Sequence, residues 1–196
     1  MADRRTLLLD AALELVGTQG MRGLTHRAVD TAAGLPAGST SNYFRTREAL
    51  VLGIVERFIA RERAMVTGPR DEVDPTPGGV ATALGRYVDR ALGPDRAVTL
   101  ARYAILVETA QNPDLREGMA PGADEVDTWA LDLITRGGSQ APQRDLQVLA
   151  NYMTGLVLHE LALPSADLDA AARIRSVIDT LGWTSTEPVD PRELQM

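Results

Sequence analysis

A chain of 196 residues with 44% hydrophobic content can bury a substantial core, either as one helical unit or as a small domain joined to a larger one. It has no Cys, which excludes disulfides and thiolate metal sites, and its two histidines, His26 and His159, stand too far apart in sequence to suggest a zinc cluster. With no apolar leader at the N-terminus and no stretch near the ~20 apolar residues of a membrane span, the expectation is a cytoplasmic protein without metal or cofactor.

The net charge of −7 at first opposes nucleic-acid binding, but its distribution reverses that inference. Residues 1–47 hold 6 Arg against 4 acids (+2), and residues 48–196 hold 14 Arg against 23 acids (−9). A weakly basic head on an acidic body can meet DNA while the body stays clear of it.

In chain order, the first helix is expected over Arg4–Gly17, with Leu8, Ala11, Ala12 and Leu15 on one stripe. Residues 24–44, LTHRAVDTAAGLPAGSTSNYF, then read as two short helices around a glycine turn. Thr25 is an N-cap, and Ala28, Val29 and Ala32 repeat at helical spacing. Gly34 can end the first of the pair in the left-handed conformation, and Pro36 can open the second with its preset φ. In the second helix Thr40, Tyr43 and Phe44 share the inner face, while Ser39, Ser41 and Asn42 lie off it. Small hydrogen-bonding side chains on an exposed short helix suit base edges and phosphate oxygens.

Beyond the head everything reads helical, with no convincing strand pattern and no internal repeat. Thr46 caps a helix over Arg47–Met65, with Leu50, Ile54 and Phe58 on one stripe and Val51, Val55 and Ile59 beside it. The segment Gly68–Gly79 has the Gly, Pro and acid content of a loop. Helices are then expected over Val80–Leu92 and Asp95–Gln111, with Asn112-Pro113 as a break. A separate short turn at Asp114–Met119 precedes a helix over Asp124–Arg136, and Gly137-Gly138 stops it. The last helices are Pro142–Leu163 and Ala166–Gly182, followed by a frayed tail. The helix from Pro142 carries two apolar stripes: Leu146, Leu149, Met153 and Val157 on one, Val148, Tyr152, Leu156 and His159 on the other. One stripe is enough for an internal core, so the second asks for another partner.

Residues 4–58 resemble the N-terminal domain of the TetR family of bacterial transcriptional repressors. The most specific piece is the AAG…G…YF.(T/S).(K/R)E.L pattern, met by Ala32, Ala33, Gly34, Gly38, Tyr43, Phe44, Thr46, Arg47, Glu48 and Leu50. The resemblance implies an all-α fold of about nine helices. Residues 1–46 would be a helix-turn-helix DNA-binding domain, 47–183 a helical effector-binding and dimerisation domain, and 184–196 a tail. It implies that Arg27 reads a guanine edge, that His26 and Ser39 touch phosphate or bases, that the Tyr43 hydroxyl reaches phosphate and that Arg47 grips phosphate. Thr25, Ala37, Gly38, Ser41 and Asn42 complete that surface. Pro36 and Ser41 depart from the commoner Ser/Thr and Tyr of the family, so no operator sequence can be carried over.

The same resemblance supplies a partner for the surplus stripe, namely the last two helices of a second subunit, with Leu146, Leu149, Met153, Val157, Ile174, Val177, Ile178 and Leu181 at the contact. It also implies a pocket for a small, largely apolar effector inside the body. Phe58, Tyr87, Tyr103, Trp129 and Tyr152 would line it, with Met65 and Met119 as adaptable filler and Arg102, Glu108, Gln111 and His159 to orient the ligand. The functional expectation is a ligand-released, homodimeric repressor of a palindromic operator. An architectural or corepressor-dependent DNA binder is the alternative. An enzyme is disfavoured because no GxSxG elbow, P-loop, HExxH or Cys nucleophile occurs in the chain.

Overall fold

The computed structural model describes residues 3–66 and 73–184; side chains at 62–66, 114 and 118–127 lie outside the description. The described residues form nine α-helices: α1 Arg4–Gly23, α2 His26–Ala32, α3 Ser39–Tyr43, α4 Arg47–Val66, α5 Pro77–Leu92, α6 Arg96–Gln111, α7 Pro113–Arg136, α8 Pro142–Ala162 and α9 Ala170–Leu181. The all-α expectation holds. The chain folds as two compact units, one of Met1–Gly68 with Arg90–Asp127 and the other of Pro69–Asp89 with Thr128–Met196. In the first unit α4 and α6 pack with the head.

Several ends differ from the sequence reading. The first helix runs past Gly17 to Gly23, with Gly20 out of helical geometry at φ 70°. Gly17 is instead a crossing point: a Cβ there would lie 1.9 Å from the carbonyl oxygen of Ala97 at the start of α6. The absent side chain lets α1 lie against α6, the helix on which it packs most extensively. Pro36 does not open α3. It sits in the preceding turn, where its carbonyl accepts from the Ser39 N–H at 3.1 Å. The seventh helix is continuous from Pro113, without the separate turn expected at Asp114–Met119. Asn112 is extended between α6 and α7, as the following proline requires.

In the first unit, Leu8, Leu9, Leu13 and Val16 of α1, Val29 of α2, Phe44, Leu50, Val51, Ile54 and Val55 around α4, and Ala101 and Ile105 of α6 form one core. Ion pairs strap its outside. Arg57 on α4 makes a bidentate contact to Asp10 on α1 at 2.7 and 2.9 Å, and Arg5 bridges to Glu56 at 2.8 Å while its guanidinium lies 5.4 Å from the Phe44 ring centroid.

In the second unit, Leu149, Leu156, Val157 and Leu161 of α8 and Ala170, Ile174 and Ile178 of α9 are buried. The fully buried Asp145 carboxylate near the start of α8 accepts from the Ser139 hydroxyl at 2.5 Å and the Trp183 indole N–H at 2.8 Å, which fixes the chain after α9. Burial pushes the Asp145 carboxyl up, but Ser139, the Arg144 guanidinium and Trp183 outweigh it and hold the group below its ordinary value.

The residues expected at the dimer contact differ in burial. Leu149, Val157, Ile174 and Ile178 belong to the protomer's own core. Leu146, Met153, Val177 and Leu181 are half-buried beside them. The other stripe divides: Leu156 is buried and Tyr152 half-buried, while Val148 and His159 are exposed; Leu158, outside both stripes, is 48% exposed.

Candidate nucleic-acid interface

The helix-turn-helix is held from beneath by one acid. Asp30, on α2 and 3% exposed, accepts from the Gly38 N–H at 2.7 Å, the Thr40 N–H at 2.7 Å and the Thr40 hydroxyl at 2.5 Å. Gly38 is the residue before α3 and has no side chain to cap it. The Asp30 carboxylate therefore does for α3 what an N-cap side chain does for an ordinary helix, and its charge faces the positive end of the helix dipole. Gly34 and Gly38, at φ 65° and 91°, take the two left-handed positions that the turn needs. Thr25 caps α2 by accepting from the Ala28 N–H at 3.1 Å, and Thr46 does the same for Ala49 at the start of α4.

Burial pushes the Asp30 carboxyl up, yet the Thr40 hydroxyl, the Thr40 and Gly38 N–H groups and nearby His26 together hold it below its ordinary value. His26 is itself fixed, its Nε2 lying 2.7 Å from the Phe44 carbonyl. A carbonyl only accepts, so this nitrogen carries the proton. The ring ties the entrance of α2 to the exit of α3, so in this structure His26 positions the motif and its Nε2 is already engaged.

Above this base, Arg27, Ala37, Ser41, Asn42 and Tyr43 are exposed. Tyr43, placed by its spacing on the inner face, is 46% exposed, and only Thr40 and Phe44 face inward. A five-residue helix has barely more than a turn, and Phe44 alone fills its hydrophobic contact. The Ser39 hydroxyl donates to the Pro36 carbonyl at 2.6 Å and is half-buried. Arg47 donates to the Met21 carbonyl at 2.9 Å and stands 3.8 Å from the Glu108 carboxylate of α6. Glu108, expected to orient an effector, is thus beside a residue expected to hold DNA. A surface cleft of about 510 Å³ opens along α1 and α2, lined by Leu15, Gln19, Thr25, Arg27, Ala28 and Thr31 among others. None of the residues expected to bind an effector lines it.

Those residues divide between the units. In the first, Phe58 is buried in the core, Arg102 and Tyr103 are half-buried, and Gln111 is exposed. In the second, Tyr87, Trp129 and Tyr152 are half-buried and His159 is exposed. The side chains of Met65 and Met119 lie outside the described residues. Sequence reading missed Asp30 as the organiser of the turn. The available signal was an acid set within a run of small and apolar residues ahead of an uncapped glycine.

Replacing Asp30 by Asn removes the charge and makes one of its two oxygens a donor, so at least one N–H of the α3 start is left unpaired. The expected cost is about 1–3 kcal/mol. Because the folded carboxyl is held low, its contribution is present in full above the unfolded value of about 3.9 and is lost as pH falls through the folded value. Thermal unfolding should show a Tm gap between wild type and Asp30→Asn at neutral pH that narrows in acid; a gap independent of pH would remove the ionised carboxylate from the account.

Comparison with known proteins agrees with this geometry. Residues 8–54 match the profile of the bacterial regulatory proteins of the tetR family, and residues 75–182 match that of the tetracyclin repressor-like C-terminal domain. The chain is 27% identical over 166 residues to the HTH-type transcriptional regulator CymR of Pseudomonas putida, covering 79% of this chain and 77% of that one. The fold is similar to that of a TetR-family member, SCO1917, of Streptomyces coelicolor A3 (26% identity, TM-score 0.70, 92% of this chain and 98% of the other). It is also similar to the multidrug binding protein EbrR solved with ethidium (26% identity, TM-score 0.69, 91% and 98%). With a helix-turn-helix head and a body that both match, the chain belongs to the TetR family of transcriptional regulators, DNA-binding proteins and not enzymes.

Proposed function

We propose that the protein is a homodimeric repressor that reads a palindromic operator with α2 and α3 and is released by a small, largely apolar effector. The observation that carries the DNA reading is the exposed row Arg27, Ser41, Asn42 and Tyr43 above a rigid, hydrogen-bonded base. Arg27 has the planar fork that pairs with a guanine edge, and the buried carboxylate of Asp30 is committed to α3 and unavailable to it. Thr25, Ala37, Gly38 and Ser39 bring backbone and small side chains close to phosphate. Such a protein works in the cytoplasm, where its operator lies. Among the described residues no helix is long and apolar enough to cross a membrane.

The dimer is assigned to the exposed part of α8 around Val148, Gly155 and Leu158. A row of exposed apolar side chains flanking a glycine invites close helix packing. The outward side of α9 is more polar, with Arg175 paired to Asp179 at 2.7 Å. The effector is assigned to the half-buried aromatics Tyr87, Trp129 and Tyr152 of the second unit. EbrR, solved with ethidium, malachite green and proflavin, makes aromatic dyes the first compounds to try.

Three outcomes check this reading. Selection from random DNA should yield a palindrome, and Arg27→Ala should relax one position in each half-site, losing about 1–3 kcal/mol of discrimination there; equal losses on selected and random duplexes would take Arg27 out of base readout. Sedimentation should show Leu158→Asp as a folded monomer, since an unpaired carboxylate in an apolar contact is costly. Ile178→Asp should instead unfold the protein, because that side chain is wholly buried within the protomer. Finally, an effector found by operator release should lose its effect on Trp129→Ala while operator affinity is kept. If no compound shifts operator affinity, the architectural alternative replaces the sensor.

A further inference from the structure

We propose that Arg45, rather than Arg47, supplies the phosphate contact at the turn between α3 and α4, and that Arg47 is a positioning residue whose charge Glu108 neutralises. The assignment rests on the DNA-binding reading above and refines it.

Arg47 is already occupied. Its guanidinium donates to the Met21 carbonyl at 2.9 Å, which ties the start of α4 to the last turn of α1. The other end of the same group faces Glu108 on α6 at 3.8 Å. A second acid is adjacent in sequence: the Glu48 carboxyl is held below its ordinary value, first by its own backbone N–H and the Thr46 hydroxyl, with a smaller contribution from Arg47. A phosphate approaching Arg47 therefore meets a cation with acids beside it. Such a pair adds little to counterion release, because its negative member arrives with it.

Arg45 has the opposite properties. Its side chain is exposed and makes no ion pair or hydrogen bond among the described residues. Its backbone is nevertheless held on both sides. The Phe44 N–H bonds the Thr40 carbonyl at 2.8 Å, the Phe44 carbonyl is bonded by His26 at 2.7 Å, and Thr46 caps α4. The result is a free cation on a rigid tether directly after the recognition helix. Nothing must be broken for it to meet a phosphate, so the cost of binding through it is confined to ordering one side chain.

The test is the salt dependence of binding, measured by fluorescence anisotropy on the duplex that the wild-type protein enriches from a random pool, between about 50 and 200 mM salt. Arg45→Gln should flatten the log–log slope by about 1 per subunit. The double variant Arg47→Gln with Glu108→Gln removes both charges of the pair and leaves a donor for the Met21 carbonyl; it should keep the wild-type slope. Glu108→Gln alone should steepen the slope by about 1 per subunit, by freeing Arg47. A change in slope is a readout that loss of folding stability does not produce, and circular dichroism would confirm that each variant is folded. An Arg45→Gln slope equal to wild type, a double variant flattened as much as Arg45→Gln, or a Glu108→Gln slope no steeper than wild type would overturn the assignment. If wild-type protein enriches no duplex, the DNA-binding reading falls and takes this assignment with it; misplaced slopes on an enriched duplex remove the assignment alone.

Discussion

A single buried carboxylate sets the geometry of the helix-turn-helix. Five residues of α3 cannot form a stable helix by themselves, because nucleation costs more than one turn of hydrogen bonds returns. Glycine at its N-cap offers no side-chain acceptor, so the free N–H groups at its start are met by Asp30 from the preceding helix. The Thr40 hydroxyl closes on the same carboxylate, which turns Thr40 inward and Ser41, Asn42 and Tyr43 outward. Ser41, Asn42 and Tyr43 are thus presented to solvent, and Arg27 on α2 is exposed as well.

The second constraint is the contact of α1 with α6. Gly17 lets the backbones approach, and the core of the head then extends without a break from Leu8 and Val29 to Ala101 and Ile105. The helix-turn-helix is therefore built against a helix that lies far from it in sequence. Arg47 adds a polar link across the same unit, from Met21 before α2 to Glu108 on α6.

Local chemistry made much of this legible in advance. Thr25 and Thr46 cap the helices they were expected to cap, Gly34 turns left-handed, and Asn112-Pro113 separates two helices, since each of these depends on neighbours within four residues. The errors lie where distant parts meet. Tyr43 shares its spacing with Thr40, yet only tertiary packing shows that Phe44 fills the contact and leaves Tyr43 outside. The two stripes of α8 are equally apolar on paper. Packing draws on both: Leu149 and Val157 of one and Leu156 of the other are buried within the protomer, which periodicity along α8 alone does not show.

By itself, then, the sequence determined the helical class, the positions of most helix ends and the helix-turn-helix, because capping, periodicity and turn conformation are short-range effects. Only the tertiary structure decided that Asp30 caps α3, that Arg47 faces Met21 and Glu108 while Arg45 stays free, and that Gly17 is a crossing point and not a stop. Each of these depends on groups brought together from separate helices, as far apart as Gly17 and Ala97, and residue order alone carries no record of that distance.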